Sequence, residues 1–230
     1  MTSSIPKTQE SGPSPYFERH VARLLVILYY CGQPINTLLE GETRQIDSLT
    51  RLQLFDFWVR EPGHLALALL RSFGSAPERV EETNPNVREA IQRMLKDNQA
   101  DVRRVKLPNA THSHLEDLDF SLSYLTARHL LSDRPSFARS RQFTHQVVLE
   151  TPGVEFVQKI LKSAPTFEWY RLQSELVAAN FNRLEHYDLA MMSYLAPDLN
   201  PAIAATLPLI PYIRTRYEQT FGDPAHDAVV

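Results

Sequence analysis

The residues best suited to chemistry are two histidines and three acids near the middle of the chain. His112 and His114 are followed by Glu116, Asp117 and Asp119. Imidazole and carboxylate groups at such short spacing are potential ligands of a divalent metal ion. A polar helix start is the simpler interpretation, because acids favour the N-terminal end of a helix dipole and no second His or Cys cluster occurs elsewhere. The sequence therefore predicts no metal site and no cofactor.

Other reactive side chains lack the neighbours that catalysis requires. Cys31 is the single cysteine and ends the most apolar run of the chain, so we expect a buried, unreactive thiol. The pairs Glu18–His20 and Glu185–His186 are more typical of exposed helix positions than of an acid–base couple. No nucleophile elbow, Walker A, dinucleotide-binding or H-E-x-x-H motif occurs. These observations predict that the protein is not an enzyme.

Two clusters of basic residues are candidates for contact with DNA. They stand out because the whole chain has a net charge of −3, which is not typical of a nucleic-acid-binding protein. Arginine neutralises phosphate and releases counterions, which makes such binding depend on salt. A solvated loop and a patch that docks on an acidic protein are the other interpretations. The clusters comprise Arg103, Arg104 and Lys106 in one segment, and Arg134, Arg139 and Arg141 in another.

The elements that position these residues are mostly helices. Apolar residues recur at helical spacing between Phe17 and Tyr29, which predicts a first helix. Ser48 has N-cap chemistry for a second helix, which we expect to end against Pro62. Further helices are expected over 65–73, 87–95 and 114–128, with an edge strand over 102–107 between the last two.

The segment after residue 128 has the pattern of a β-wing. An apolar pair, Leu130-Leu131, precedes the polar segment Ser132–Arg141, and Phe143–Leu149 then alternates between apolar and polar residues. We interpret this pattern as two strands joined by a long loop. A helix follows, with Thr151 as its N-cap and Pro152 at its first position. Helix, strand, loop, strand and helix form the C-terminal half of a winged helix.

The composition changes after residue 163, where large apolar residues are followed by several prolines. Apolar side chains of this size are usually buried, so the region is a candidate for docking on a partner protein. The partner-binding candidates are Trp169, Tyr170, Leu172, Leu176, Phe181 and Tyr187. The expected fold is mainly α, a winged-helix-like domain with a small β-wing plus a C-terminal helical region. Its parts are a disordered lead (1–15), the winged-helix-like domain (16–162), the helical docking region (163–221) and a disordered tail (222–230).

The apolar runs and the start of the chain suggest a protein that does not enter a membrane. The longest apolar stretch, Leu24–Cys31, is far shorter than the ~20 residues needed to cross a bilayer. The first fifteen residues lack the basic start and apolar run of a signal peptide. One cysteine also excludes a disulfide framework. We therefore expect a cytoplasmic location.

Three segments together resemble a known family. Leu49–Pro62 reads LTRLQLFDFWVREP, a leucine-rich helix that ends in Asp-Phe-hydrophobic-hydrophobic-Arg-x-Pro. Val102–Lys106 is a basic strand that leads into the helix at Tyr124–Leu131, and Val147–Gly153 is a strand-to-helix corner common in winged helices. Over roughly residues 16–162, the chain is thereby similar to the small middle component of bacterial three-component ABC systems, which include the Lamassu-type anti-phage systems.

The resemblance implies a non-catalytic subunit that bridges an SMC-like ATPase with long coiled coils to an effector, often a nuclease. It also implies a part in sensing foreign double-stranded DNA. The alternative is a free-standing, homodimeric winged-helix transcription regulator that reads a two-fold DNA site. The acids Glu116, Asp117 and Asp119 lie in the helix expected to recognise DNA, and they count against the regulator.

Overall fold

The structure is a computed structural model that describes residues 15–35, 43–74, 85–96, 113–137, 143–184 and 209–222. Within these ranges the chain forms eight helices and one small antiparallel sheet, which confirms the predicted class of mainly α with a small β-wing. The helices are α1 (Pro15–Cys31), α2 (Leu49–Arg60), α3 (Pro62–Gly74), α4 (Pro85–Lys96), α5 (Ser113–Ala127), α6 (Thr151–Ser163), α7 (Thr166–Phe181) and α8 (Leu209–Phe221). The strands are β1 (Gln33–Pro34), β2 (Arg44–Ile46), β3 (Leu131–Phe137) and β4 (Phe143–Leu149).

Helix α1 lies at the centre of the fold. All residues from His20 to Leu28 are buried, so the helix is covered on every side. A helix that is buried around its whole circumference requires neighbours on all faces. Four helices (α2, α5, α6 and α7) and two strands (β2 and β4) contact α1 and provide this cover.

Helices α2 and α3 follow each other with almost no connection. The hydroxyl of Ser48 accepts a hydrogen bond from the backbone N–H of Arg51 at 3.1 Å, which confirms the predicted N-cap. Helix α3 begins at Pro62 rather than at Leu65, where we predicted it. Proline fits the first turn of a helix because its missing N–H has no intrahelical partner there. The backbone N–H of Leu65 accordingly bonds to the carbonyl of Glu61.

The four strands form a sheet with the order β1-β2-β4-β3, and all neighbours are antiparallel. Strands β3 and β4 pair over their whole length, from Leu131 opposite Leu149 to Phe137 opposite Phe143. The prediction that Ser132–Arg141 is a loop is therefore wrong for its first half. Cross-strand pairing with β4 holds these polar residues in extended conformation, and Arg134 lies on a strand opposite Gln146.

Helix α6 begins one residue earlier than predicted. Its N-cap is Glu150, not Thr151, because the carbonyl of Glu150 already accepts the helical bond from the N–H of Val154. Gly153 lies in the first turn against the preceding corner. A Cβ atom at this position would be 2.2 Å from the carbonyl oxygen of Leu130 and 2.6 Å from Cδ1 of Leu149. The strand-to-helix corner therefore requires glycine for a close approach of the two backbones.

The C-terminal helices share the core of the preceding elements. Tyr170, Val177 and Phe181 of α7 and Ile213 and Tyr217 of α8 belong to the same hydrophobic cluster as the buried residues of α1 to α6. Helix α7 lies against α1, and α8 lies against α3 and α4. The predicted boundary at residue 163 therefore does not separate two cores among the described residues.

Several predicted features lie outside the described residues. They are the edge strand at 102–107, most of the linker at 74–86, the lead, the tail and the proline-rich segment between α7 and α8. Among the helices that the structure describes, none combines the length and the apolar character that spanning a bilayer requires.

Candidate protein-docking surface

The most strongly charged part of the interior is an ion cluster between α1 and α2. The carboxylate of Asp56 accepts hydrogen bonds from Nε of Arg23 at 2.7 Å and from Nε of Arg60 at 2.8 Å. Burial alone would raise the pKa of Asp56, but the charges of Arg23, Arg60 and His20 lower it to about 2. A carboxylate that is ionised so readily and bonded through both oxygens is a poor proton acceptor. We therefore assign this cluster to stability rather than to catalysis.

His20 belongs to the same cluster, which corrects the prediction that it decorates the surface. Its ring is hydrogen-bonded to the guanidinium of Arg23, and only 7% of the residue is exposed. Glu18 is exposed, two positions away on the helix. Residues two apart point in different directions on a helix, so Glu18 and His20 do not form a pair.

The thiol of Cys31 is buried, as predicted. Sγ donates to the backbone carbonyl of Ser174 at 3.3 Å, and burial raises the pKa of the thiol far above its usual range. Cys31 borders a pocket of about 320 Å³ between β2 and the end of α7. Arg51, which also lines the pocket, already donates to the carbonyls of Asn182 and Leu184. This pocket therefore presents no reactive thiolate, and of its two guanidinium groups that of Arg51 is already bonded, while Arg183 is exposed.

The described residues provide no support for the interpretation that His112, His114 and the following acids bind a metal ion. No group of three or more His, Cys, Asp or Glu side chains there has a metal-binding arrangement. His112 and the side chains of His114, Glu116 and Asp117 lie outside the description, and Asp119 is exposed on α5.

In the part of the β-wing that the structure describes, Arg134 and His145 each have a partner within the hairpin or at its end. Arg134 donates to Oε1 of Glu150 at 2.9 Å and to Oγ of Ser132 at 3.2 Å. On the same hairpin, Nδ1 of His145 lies 2.9 Å from Oδ2 of Asp133. An arginine that contacts DNA phosphate would have to leave such a partner. The other residues of the predicted DNA contact, namely Arg103, Arg104, Lys106, Arg139 and Arg141, lie outside the described residues.

The described part of helix α5, which precedes the wing, carries two aromatic side chains and one acid. Phe120 is 64% exposed, and its ring centroid lies 5.0 Å from that of Phe17. The guanidinium of Arg128 lies over the ring of Tyr124, 4.5 Å from its centroid. Asp119 is exposed beside Phe120. The sequence of α5 contains no lysine or arginine, so this helix offers no row of basic side chains to a phosphate backbone.

The inner face of α7 is fully covered within the chain. Tyr170, Ser174, Val177 and Phe181 are buried. Tyr170 faces Arg23 of α1, and the ring of Phe181 lies 4.5 Å from that of Trp58 on α2. The prediction that Tyr170 and Phe181 bind a partner is therefore wrong, because both side chains are part of the core.

The outer face of α7 is also apolar, and it reaches the surface. We call Trp169, Leu172, Leu176 and Ala179 the outer stripe. Leu172 is 39% exposed, Ala179 is exposed, and Trp169 and Leu176 are half-buried at its edge. Three of the six predicted partner-binding residues thus lie together on one exposed face, while Tyr187 is outside the described residues. Trp169 and Leu176 also pack against the core, so the accessible part of the outer stripe is formed mainly by Leu172 and Ala179.

One border of the outer stripe is acidic. We call Glu168 and Glu175 the acidic flank. Arg171 lies between them and donates to Oε1 of Glu168 at 2.5 Å and to Oε1 of Glu175 at 2.6 Å. The two carboxylates and one guanidinium leave a net charge of −1, held in a defined position beside the stripe.

The ion cluster around Asp56 was missed in the sequence, although a signal for it exists. Arg23 interrupts the apolar run of α1, and Asp56 lies among the apolar residues of α2. A charge within a buried apolar run requires a counter-charge that is buried to a similar extent.

We found no match for this chain among protein-family models, curated proteins or solved structures.

Proposed function

We propose that this chain is a non-enzymatic accessory subunit of an SMC-like ATPase complex of anti-phage defence, located in the cytoplasm. In this role it bridges the ATPase and an effector. The observation that carries the proposal is the outer stripe of α7, an apolar face on a helix whose opposite face is already packed. The identity of the partner rests on the resemblance of three sequence segments to the middle component of bacterial three-component ABC systems.

The paired state of the described reactive groups supports a role in binding rather than in catalysis. Asp56 is bonded to two arginines, and the thiol of Cys31 donates a hydrogen bond to a backbone carbonyl. Neither group is placed to transfer a proton to a bound substrate. A protein whose surface offers an apolar stripe instead is suited to a stable complex.

Direct contact with duplex DNA is a secondary part of the proposal. It depends on the basic residues that lie outside the described residues, because Arg134 is already paired with Glu150. The absence of lysine and arginine from the sequence of α5 also argues against the alternative of a DNA-reading transcription regulator. Protein docking is therefore the function that the described surface favours.

Co-expression of the chain with the products of its adjacent genes tests this proposal. We expect a stable complex with a coiled-coil ATPase, detected by affinity purification and by the mass of the intact assembly. The variant Leu172→Asp should lose the complex. Ile210→Asp is a matched control, because Ile210 is 40% exposed on α8, a helix that packs against α3 and α4. A lone homodimer that binds an inverted DNA repeat would overturn the proposal in favour of the transcription regulator.

A further inference from the structure

The outer stripe has the spacing of a coiled-coil seam. Its residues Trp169, Leu172, Leu176 and Ala179 are separated by three, four and three positions. Alternating steps of three and four place apolar residues at the two core positions of a heptad, where each side chain inserts between residues of a facing helix. A helix that only covers a globular core shows a wider apolar face. The narrow outer stripe therefore matches a single helical partner.

The acidic flank occupies the matching charged positions. Glu168 and Glu175 are seven residues apart, and each immediately precedes a residue of the stripe. In heptad terms both lie at the position that forms ion pairs across a coiled-coil interface. On the other border, the corresponding positions are the uncharged Gln173 and Asn180. The interface thus offers negative charge along one side only.

We propose that the outer stripe binds one helix of a partner's coiled coil, and that this helix carries basic residues along the side facing Glu168 and Glu175. The proposal rests on the proposed function, since it specifies which part of the partner occupies the docking surface. The charge argument selects the occupant: Arg171 leaves the flank with a net charge of −1, which a lysine or arginine of the partner helix would neutralise.

Two synthetic helical peptides, each about three heptads long, test this inference without knowledge of the partner. Both have leucine at the seam positions; one has lysine and the other glutamate at the flanking positions. Binding of each labelled peptide to the full chain is measured by fluorescence anisotropy. We expect the lysine peptide to bind about tenfold more tightly than the glutamate peptide at low salt, with a smaller difference at high salt.

Variants of the chain distinguish the contribution of the outer stripe to peptide binding from that of the acidic flank. The double variant Glu168→Lys with Glu175→Lys should reverse the preference between the peptides. Leu172→Asp should abolish binding of both peptides, while Ile210→Asp should bind as the unchanged chain does. Circular dichroism confirms that each variant is folded.

Equal affinities for both peptides, or binding by neither, would overturn the coiled-coil inference. So would unchanged binding by Leu172→Asp. The proposed function would fail separately, through the absence of any complex with the ATPase in co-expression, whatever the peptides do. A complex that forms through Leu172 but shows no preference between the peptides would leave the proposed function in place and remove only the coiled-coil occupant.

Discussion

Replacing Asp56 by alanine should destabilise the protein strongly, because it leaves the guanidinium of Arg23 buried without its carboxylate partner. The side chain of Arg23 is 3% exposed and that of Asp56 is 7% exposed. Removal of one member of a buried ion pair costs about 3–5 kcal/mol. Since total stabilities are about 5–15 kcal/mol, this loss is a large fraction of the free energy of unfolding. The thermal midpoint should fall by roughly 10 °C or more.

The pH dependence of stability gives a second estimate of what Asp56 contributes to the free energy of unfolding. The pKa of Asp56 falls from an ordinary 3.8 to about 2 in the folded protein, which corresponds to about 2 kcal/mol of stability. Because the folded pKa is the lower one, this contribution is complete above about pH 4 and is lost as the pH falls towards 2. The difference in stability between the protein and Asp56→Asn should therefore be constant near neutral pH and shrink below pH 4.

Urea unfolding followed by circular dichroism measures both effects. Arg134→Ala is the matched control, because Arg134 is also paired with a carboxylate but is 49% exposed, and its loss should cost at most about 1 kcal/mol. The double variant Arg23→Met with Asp56→Leu should recover part of the lost stability, since it removes both charges of the most deeply buried pair, although Arg60 then loses its bond to Asp56. A loss in Asp56→Ala no larger than in Arg134→Ala would refute the assignment of a stabilising role to the buried cluster.

Three further predictions concern a packing site, a thiol and the wing. Gly153→Ala should lower the free energy of unfolding by about 1–3 kcal/mol, because its methyl group would collide with the carbonyl of Leu130; a urea midpoint equal to that of the unchanged protein would contradict this. Cys31 should not react with a chromogenic disulfide reagent near pH 8 until urea unfolds the chain; rapid reaction of the folded protein would show that the thiol is accessible. Arg134→Ala should change the affinity for duplex DNA by less than about twofold across a salt series; a loss of about tenfold would show that Arg134 contacts phosphate.

The parts of the fold with strong local signals could be predicted from the sequence. The apolar run of α1 and the N-cap at Ser48 depend only on residues within a few positions of each other. The wing was placed correctly, but its first strand was predicted too short. The polar residues of β3 have no apolar alternation, and they are held as a strand by hydrogen bonds to β4 that only the folded register reveals.

The candidate surface could be predicted only in part, because α7 is apolar on two sides. The sequence places Trp169, Tyr170, Leu172 and Phe181 on the same helix, but it does not show which side α1 and α2 cover. Ion pairs between residues that are distant in the sequence could not be predicted either. Arg134 and Glu150 are sixteen positions apart, and the hairpin brings them together. The sequence therefore indicates a basic cluster at Arg134, Arg139 and Arg141, whereas in the structure Arg134 is paired with Glu150.

The most direct test of the α7 docking surface is site-specific cross-linking in cells that express the chain with the products of its adjacent genes. A photoreactive benzoylphenylalanine is introduced at position 172 in the outer stripe and, as a control, at position 210 on α8. We expect a cross-link from position 172 to a coiled-coil segment of the ATPase, and none to that segment from position 210. Cross-links to the ATPase from position 210 but not from position 172 would contradict the central claim that the outer stripe of α7 binds the partner.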